Sequence, residues 1–267
     1  MSLPKPYYQD GQATIYCGDA RGILPLLDAA SIDMVFTDPP YGHNNNNGDL
    51  IANREAALGH GKSGPPRPIA NDGAEANDLV RFAFDQFNRL LKPGCCCCCC
   101  CCCCGGGPDP QFSRWSLWMD DAIGFKQAAV WDKGGLGMGW HYRRSYEFIL
   151  VGEKPGAACR WFGGNKQSNV VRIPKILPQA DDHPTPKPVE LCGLFIRLHS
   201  APGDIVLDPF MGHCSTGAAA KMDGRNFIGI ELEEKYCAVA VERLSQAVFA
   251  LPEPEPPKVE TGALFDA

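Results

Sequence analysis

The chain has 267 residues, enough for one α/β domain with a buried core and additional loops. It contains no run of about 20 apolar residues, the length needed for a membrane-spanning helix. The segment 1–10 lacks the apolar core of a secretion signal, so we expect a cytoplasmic protein. The net charge is −6, yet residues 126–187 hold ten Lys/Arg against five Asp/Glu, and the remainder holds 15 against 26. Such a basic region is compatible with contact to phosphates, although a solvated charged surface explains it equally well.

Short apolar runs alternate with helical patterns along the chain, which is typical of a mostly parallel sheet with helices on both faces. In chain order we predict strand 13–17, helix 23–27, strand 33–36, helix 77–91, helix 112–123, strands 127–131 and 146–151, helix 188–198, strand 205–207, helix 215–222, strand 227–230 and helix 233–249.

Domain organisation follows from where this alternation stops. We predict a single domain over residues 1–250 and a disordered tail over 251–267, which begins with Pro-Glu repeats. Residues 42–76 are rich in Gly, Asn, Pro and Ala without periodicity, so we predict a mobile loop there. A short insert of about residues 155–182 interrupts the later elements.

Ten consecutive cysteines, Cys95–Cys104, follow the helix-ending segment Lys92-Pro93-Gly94. Adjacent side chains of a strand point to opposite faces, so four neighbouring thiols cannot converge on one metal ion. Cysteine is small and readily buried. We therefore predict a buried central strand and no metal; a metal site and a misread low-complexity stretch are the alternatives. The other five cysteines are scattered, and we expect reduced thiols.

The motif Thr37-Asp38-Pro39-Pro40-Tyr41-Gly42 directly follows the strand 33–36, at a sheet edge where α/β proteins bind ligands. Two prolines remove N–H donors and stiffen the turn, so that the Asp38 carboxylate and the Pro39 carbonyl point outward as two acceptors. Such a pair suits the two hydrogens of an exocyclic NH2 group, and Tyr41 offers an aromatic face to a planar base. By itself, a plain Pro-Pro turn explains the motif equally well.

A strand, a tight turn and a helix carry the second motif, Asp208-Pro209-Phe210-Met211-Gly212-His213-Cys214-Ser215-Thr216. Gly212 permits close approach of the backbone to a ligand, and the helix beyond it presents free N–H groups. The next strand ends at Glu231, before Leu232, and an acid at this place suits the ribose hydroxyls of a nucleoside.

Two shorter motifs accompany these. Gly18-Asp19-Ala20 places another acid at a strand end, although a helix N-cap explains Asp19 as well. In His183-Pro184-Thr185-Pro186-Lys187-Pro188, prolines fix an extended lead-in from which Thr185 and Lys187 can reach a carboxylate; a helix start with an exposed lysine is the alternative.

Together the motifs resemble those of the amino-group DNA methyltransferases, which act on N6 of adenine or N4 of cytosine. The segment 37–42 resembles that family's catalytic motif, 208–217 its methyl-donor loop, and 226–231 its ribose-binding segment. Asp19 resembles its adenine-contacting acid, and 183–188 resembles the segment that holds the methionine part of the donor. The catalytic motif precedes the donor loop, as in the circularly permuted beta class.

The resemblance implies a Rossmann-like S-adenosylmethionine-dependent fold with a mostly parallel seven-stranded sheet. It implies transfer of a methyl group from S-adenosylmethionine to N6 of adenine in a flipped-out base of double-stranded DNA, as in restriction-modification. Aspartate before Pro-Pro-Tyr favours adenine over the alternative, N4 of cytosine. The implied catalytic residues are Asp38, Pro39, Pro40 and Tyr41. The implied donor-binding residues are Asp19, Ala20, His183, Thr185, Lys187, Asp208, Pro209, Phe210, Gly212, Ser215, Thr216, Glu231 and Leu232.

Other readings stay open. A methyltransferase for glutamine side chains or RNA normally places its donor loop first, unlike this chain. A non-catalytic DNA- or metal-binding protein with a decayed site conflicts with the intact acidic residues. We expect DNA and a second copy of the chain, as a homodimer, as partners. The segment 261–265 loosely resembles peptides that dock on the replication sliding clamp; a frayed terminus is the alternative.

Two features depart from the family pattern. Cys214 stands where a second glycine is usual, and its Cβ makes positive φ costly, so we expect a wider turn or weaker donor binding. The insert is short for a recognition region, so we expect loose specificity or recognition by the loop 42–76.

Overall fold

The computed structural model describes residues 2–41, 73, 75–101, 110–136, 144–176 and 187–246. Most of the predicted loop 42–76 and all of the predicted tail 251–267 lie outside these residues, as does the clamp-like segment 261–265. None of the described helices combines the length and hydropathy that crossing a membrane requires.

The described strands form one mixed sheet in the order β1-β2-β9-β8-β3-β4-β6-β5-β7. Strands β2, β9, β8, β3 and β4 run parallel, whereas β6 runs antiparallel to β4 and β5, and β1 antiparallel to β2. The predicted α/β sheet is thus confirmed. The strands are β1 Tyr8–Gln9, β2 Ala13–Cys17, β3 Ile32–Thr37, β4 Leu91–Cys101, β5 Phe125–Asp132, β6 Tyr146–Glu153, β7 Val170–Arg172, β8 Ile205–Asp208 and β9 Asn226–Glu231.

Two short strands extend the predicted set of seven to nine among the described residues. Strand β1 has two residues and pairs with β2 at one edge, and β7 has three residues and pairs with β5 at the other. Neither is long enough to show an alternating pattern in the sequence. Strand β7 belongs to the predicted insert, so that insert extends the sheet.

Helices cover both faces of the sheet, as predicted. One face packs against α1, α2 and α3, and the other against α4, α5 and α6. A 3-10 turn, Leu24–Leu26, continues α1. The helices are α1 Ala20–Ile23, α2 Ala76–Leu90, α3 Pro110–Ala122, α4 Val189–His199, α5 Ser215–Met222 and α6 Glu234–Gln246.

The cysteine block forms most of the central strand β4, between β3 and β6, and Cys95–Cys100 are buried. Cys98 and Cys100 pack on the face covered by α4, whereas Cys97 and Cys99 pack on the face covered by α2 and α3. The buried strand predicted from the sequence is therefore confirmed. Burial raises the pKa of these thiols, so they stay protonated and pack as small apolar groups.

Candidate active site

One cavity lies at the carboxyl ends of the parallel strands β2, β3, β8 and β9, and residues of all four sequence motifs line it. Parallel strands bring these ends to the same edge of the sheet, which explains why segments far apart in sequence meet there. His183 and Thr185 lie outside the described residues. The predicted site residues that line the cavity are Asp19, Ala20, Asp38, Pro39, Pro40, Tyr41, Lys187, Asp208, Pro209, Phe210, Gly212, Ser215, Thr216, Glu231 and Leu232.

Asp208 joins the two central strand ends. Its Oδ1 accepts hydrogen bonds from the Thr37 hydroxyl at 2.8 Å and from the Phe210 backbone N–H at 3.1 Å, and its Oδ2 accepts one from the Thr216 hydroxyl at 2.7 Å. Burial raises the pKa of Asp208 to about 7, against the opposing effect of the two hydroxyl donors. These contacts give Asp208 a positioning role, whereas direct contact with a donor stays a prediction.

The loop after β8 takes the left-handed conformation twice. Gly212 has φ +47°, and a Cβ placed there would meet no heavy atom within 4 Å, so the backbone is open for a ligand to approach. Cys214 is buried and has φ +59°. The cysteine thus adopts the conformation that glycine would take there, at a cost of about 1–2 kcal/mol. Its departure from the family pattern results in backbone strain.

Two acidic side chains stand at the ends of β9 and β2. Glu231 accepts backbone hydrogen bonds from Gly212 at 3.0 Å and from Glu233 at 2.8 Å, and burial raises its pKa. Asp19 accepts the backbone N–H of Arg21 at 2.8 Å and pairs with its guanidinium at 2.6 Å. The helix N-cap considered for Asp19 is therefore present, and a ligand contact stays a prediction.

Tyr41 stands next to Asp38 with both its ring and its hydroxyl engaged. The hydroxyl donates a short hydrogen bond to Asp38 Oδ1. The ring stacks on Trp115, with centroids 5.9 Å apart and planes inclined by 21°. Gln111 Nε2 donates to the Tyr41 carbonyl at 3.0 Å and so ties the motif to α3. A planar base that enters beside Tyr41 would therefore replace some of these contacts.

Lys187 reaches two carboxylates of the protein itself. Its Nζ lies 2.7 Å from Asp38 Oδ2 and 3.3 Å from Glu147 Oε2, and Lys133 Nζ lies 3.0 Å from Glu147 Oε1. Burial raises the pKa of Asp38 to about 6; Glu147 adds to this rise and Lys187 opposes it. Burial alone would lower the pKa of Lys187, but the two carboxylates outweigh it and raise the pKa. Lys187 thus reaches carboxylates, as predicted, and these two belong to the protein itself; its contact with the methyl donor stays a prediction.

Sequence reasoning missed Glu147, Lys133 and Arg243. Glu147 could have been found as a charged residue inside the apolar run of β6. A strand covered on both faces rarely holds a charged residue that has no partner. Arg243 on α6 donates to the His213 carbonyl at 3.0 Å and to the Ser215 hydroxyl at 3.2 Å. No local sequence pattern marks Arg243, because its two partners lie far away in the sequence, around the start of α5.

The family model of DNA methylases of the N6/N4 type matches residues 32–242. The chain belongs to this family. The methylase is 28% identical over 272 residues to the DNA adenine methyltransferase YhdJ of Escherichia coli, covering 88% of this chain and 83% of the relative. It is 26% identical over 265 residues to the type II methyltransferase M2.DpnII of Streptococcus pneumoniae, covering 91% and 93%.

Solved structures resemble the methylase over most of its length. The complex of M1.HpyAVI with SAM aligns with a TM-score of 0.62 and 26% identity, over 87% of this chain and 98% of that one. The cytosine-N4-specific PvuII DNA methyltransferase aligns with a TM-score of 0.68, over 94% and 91%, but with 19% identity, which supports the shared fold alone.

Proposed function

We propose that this methylase transfers a methyl group from S-adenosylmethionine to N6 of adenine in a base rotated out of duplex DNA. The observation that carries the proposal is the placement of Asp38 and Glu231 at the ends of two parallel strands, on the walls of one cavity. A relative named as a DNA adenine methyltransferase supports the choice of base.

The chemistry of the cavity fits the methyl donor, a sulfonium cation joined to a nucleoside. Asp19, Asp38, Glu231 and Glu233 line the cavity together with Lys187, so acidic side chains outnumber basic ones on its wall, and this excess favours a cation. The open backbone at Gly212 leaves room beside Glu231, whose oxygens keep acceptor capacity for ribose hydroxyls. When bound, S-adenosylmethionine supplies an activated methyl group, so the residues need only position the acceptor.

Asp38 and Pro39 would position the target nitrogen. The Asp38 carboxylate and the Pro39 carbonyl accept the two N–H bonds of the exocyclic amine, which draws its lone pair out of the ring system. Asp38 Oδ1 accepts from the Tyr41 hydroxyl in this structure, so the amine takes the place of that hydroxyl and the Tyr41 ring becomes available for stacking. With a pKa of about 6, the carboxylate is suited to take the proton that the methylated nitrogen loses.

The remaining assignments are proposals of the same kind. Motif order supports the circularly permuted class, the excess of basic residues over 126–187 supports phosphate contact, and the shortness of the insert supports loose specificity or recognition by the loop 42–76. A homodimer and the clamp-binding tail stay proposals from the sequence.

The direct test is methyl transfer to DNA. Purified protein is incubated with tritiated S-adenosylmethionine and unmethylated duplex DNA, and the DNA is digested to nucleosides. We expect label in N6-methyladenine. Label in N4-methylcytosine would overturn the choice of base, and no label in DNA from many sequence contexts would overturn the proposed function.

A further inference from the structure

A row of four buried or half-buried charged side chains with alternating sign begins at the proposed catalytic motif: Asp38, Lys187, Glu147 and Lys133. The side chains of Lys187, Glu147 and Lys133 are 7%, 8% and 9% exposed. Burying a charge costs several kcal/mol unless partners compensate it, so such a row is not an incidental surface pairing. Methyl transfer itself uses only Asp38 of the four.

We propose that Lys187 is a positioning residue for methyl transfer, which holds the Asp38 carboxylate ionised and fixes the oxygen that faces the base, while Glu147 and Lys133 anchor it. The proposal rests on the proposed function, because it names what keeps Asp38 in the form that the reaction needs.

The contacts of the Lys187 ammonium carry the argument. Its Nζ lies 2.7 Å from Asp38 Oδ2 and 3.3 Å from Glu147 Oε2, and it donates a hydrogen bond to the Tyr41 hydroxyl at 3.2 Å. It also lies 5.9 Å from the centre of the Trp131 ring. Because the ammonium already lies against these three oxygens, we expect a further carboxylate to bind Lys187 only by displacing one of them. It therefore serves Asp38 rather than the methyl donor.

These contacts give the two carboxylate oxygens of Asp38 different roles. Oδ2 is held by the buried ammonium, whereas Oδ1 is held by the Tyr41 hydroxyl, on a residue that the target base would displace. The amine therefore meets Oδ1, and Oδ2 keeps its partner throughout. A carboxylate already held at one oxygen loses less rotational freedom when the amine binds, which lowers the entropic cost of binding.

The groups that face Asp38 set the sign of the pH dependence. Lys187 favours the carboxylate, whereas burial and Glu147 favour the neutral acid. The thiols nearby have raised pKa values from burial and carry no charge at neutral pH. Besides Lys187, the titratable groups facing Asp38 are Tyr41 of its own motif, Glu147 of β6, Cys99 and Cys100 of β4, Asp208 of β8 and Cys192 of α4.

The test is the pH profile of kcat/KM for methyl transfer in single variants. Lys187→Met removes the charge at similar volume, so the acid limb should move to higher pH by at least about one unit, a tenfold loss at a fixed pH on that limb. Glu147→Gln removes a repelling carboxylate, so the limb should move to lower pH. Lys187→Arg should restore most of the wild-type profile. A purely structural role would lower kcat at every pH and leave the limb in place.

Lys221 provides the matched control, since its side chain is 7% exposed and pairs with Asp10 at 2.6 Å, away from the cavity. Lys221→Met should leave the limb unmoved. If the acid limb of kcat/KM stays at the wild-type pH in both Lys187→Met and Glu147→Gln, the proposal is overturned. Should Lys187→Met not fold, the downward shift in Glu147→Gln still decides.

A second readout separates this proposal from the proposed function. The Asp38 carboxyl carbon, labelled with 13C and assigned by its loss in Asp38→Asn, is titrated by NMR without DNA. We expect its midpoint to rise in Lys187→Met and to fall in Glu147→Gln. Equal midpoints in all three proteins would overturn the role of Lys187, whatever the methyl-transfer assay shows. Shifted midpoints with no methyl transfer would overturn the proposed function alone.

Discussion

The hydroxyl of Thr37 donates a 2.8 Å hydrogen bond to the carboxylate of Asp208, which ties the end of β3 to the end of β8. Thr37 precedes Asp38, the proposed catalytic residue, and Asp208 begins the proposed donor loop. Both are buried. This contact therefore adds to the backbone pairing of β3 with β8 and fixes the ends of the two strands, from which the proposed catalytic and donor-binding segments continue.

Thr37→Val removes this hydroxyl at nearly constant volume and leaves one Asp208 lone pair unsatisfied. We expect the free energy of unfolding to fall by about 1–3 kcal/mol, with a loss of kcat larger than any loss of donor affinity. Urea unfolding and steady-state kinetics check both. Thr14→Val, at a half-buried threonine of β2, is the control and should change neither. Equal effects at the two positions would contradict the role given to Thr37.

Asp208→Asn should change how stability depends on pH. The folded pKa of about 7 lies above the usual 3.8, so the folded state binds the proton more tightly than the unfolded state. The contribution of Asp208 is therefore complete below pH about 4 and is lost as pH rises through about 7, at roughly 1.4 kcal/mol per pKa unit. The stability of wild type relative to Asp208→Asn should fall across that window. A difference that stays constant from pH 4 to 8 would show that the carboxyl is not perturbed.

Gly217→Ala should destabilise the protein by overpacking. A Cβ at Gly217 would lie 2.3 Å from Cys214 Sγ and 2.6 Å from the Phe227 ring, so the start of α5 must shift. We expect a loss of about 1–3 kcal/mol or more in the free energy of unfolding. Gly22→Ala in α1, where a Cβ meets nothing within 4 Å, is the control and should be neutral or stabilising. The pair is compared by thermal or urea unfolding.

Glu231→Gln should weaken donor binding. The carboxylate accepts the Gly212 and Glu233 backbone N–H groups at separate oxygens, whereas the single amide oxygen of glutamine can accept only one of them and loses the charge-assisted bonds to ribose hydroxyls. Such bonds contribute about 1.5–3 kcal/mol, so we expect Kd for S-adenosylmethionine to rise roughly 10- to 100-fold by calorimetry. Unchanged affinity would place the ribose elsewhere.

The central strands and helices were predictable because the apolar residues of each recur with a clear period. The helix that ends at Leu90 was expected to within one residue, and the α5 helix, Ser215–Met222, was predicted with its observed bounds. The cysteine block was predictable as a buried strand from its position after the helix-ending segment Lys92-Pro93-Gly94 and from the small, readily buried side chain of cysteine. Strands β1 and β7 were not predictable, because two or three residues show no period and depend on pairing with a neighbour.

The site was predictable where its residues follow strand ends, and not where they come from the middle of other elements. Glu231 ends β9 and Asp38 directly follows β3, so their meeting follows from parallel topology. Glu147 lies inside β6 and Lys133 just after β5, and only the order of strands brings them to Lys187. Nothing local in the sequence records that order.

The most direct test of the account compares donor binding with turnover in Asp38→Ala. The substitution removes one acceptor for the amine but no residue of the Glu231 side of the cavity. We expect the variant to fold, to bind S-adenosylmethionine with a Kd within about threefold of wild type, and to lose at least about 100-fold in the rate of methyl transfer to DNA. Near-normal turnover in a folded Asp38→Ala protein would contradict the assignment of Asp38, and with it the proposed mechanism.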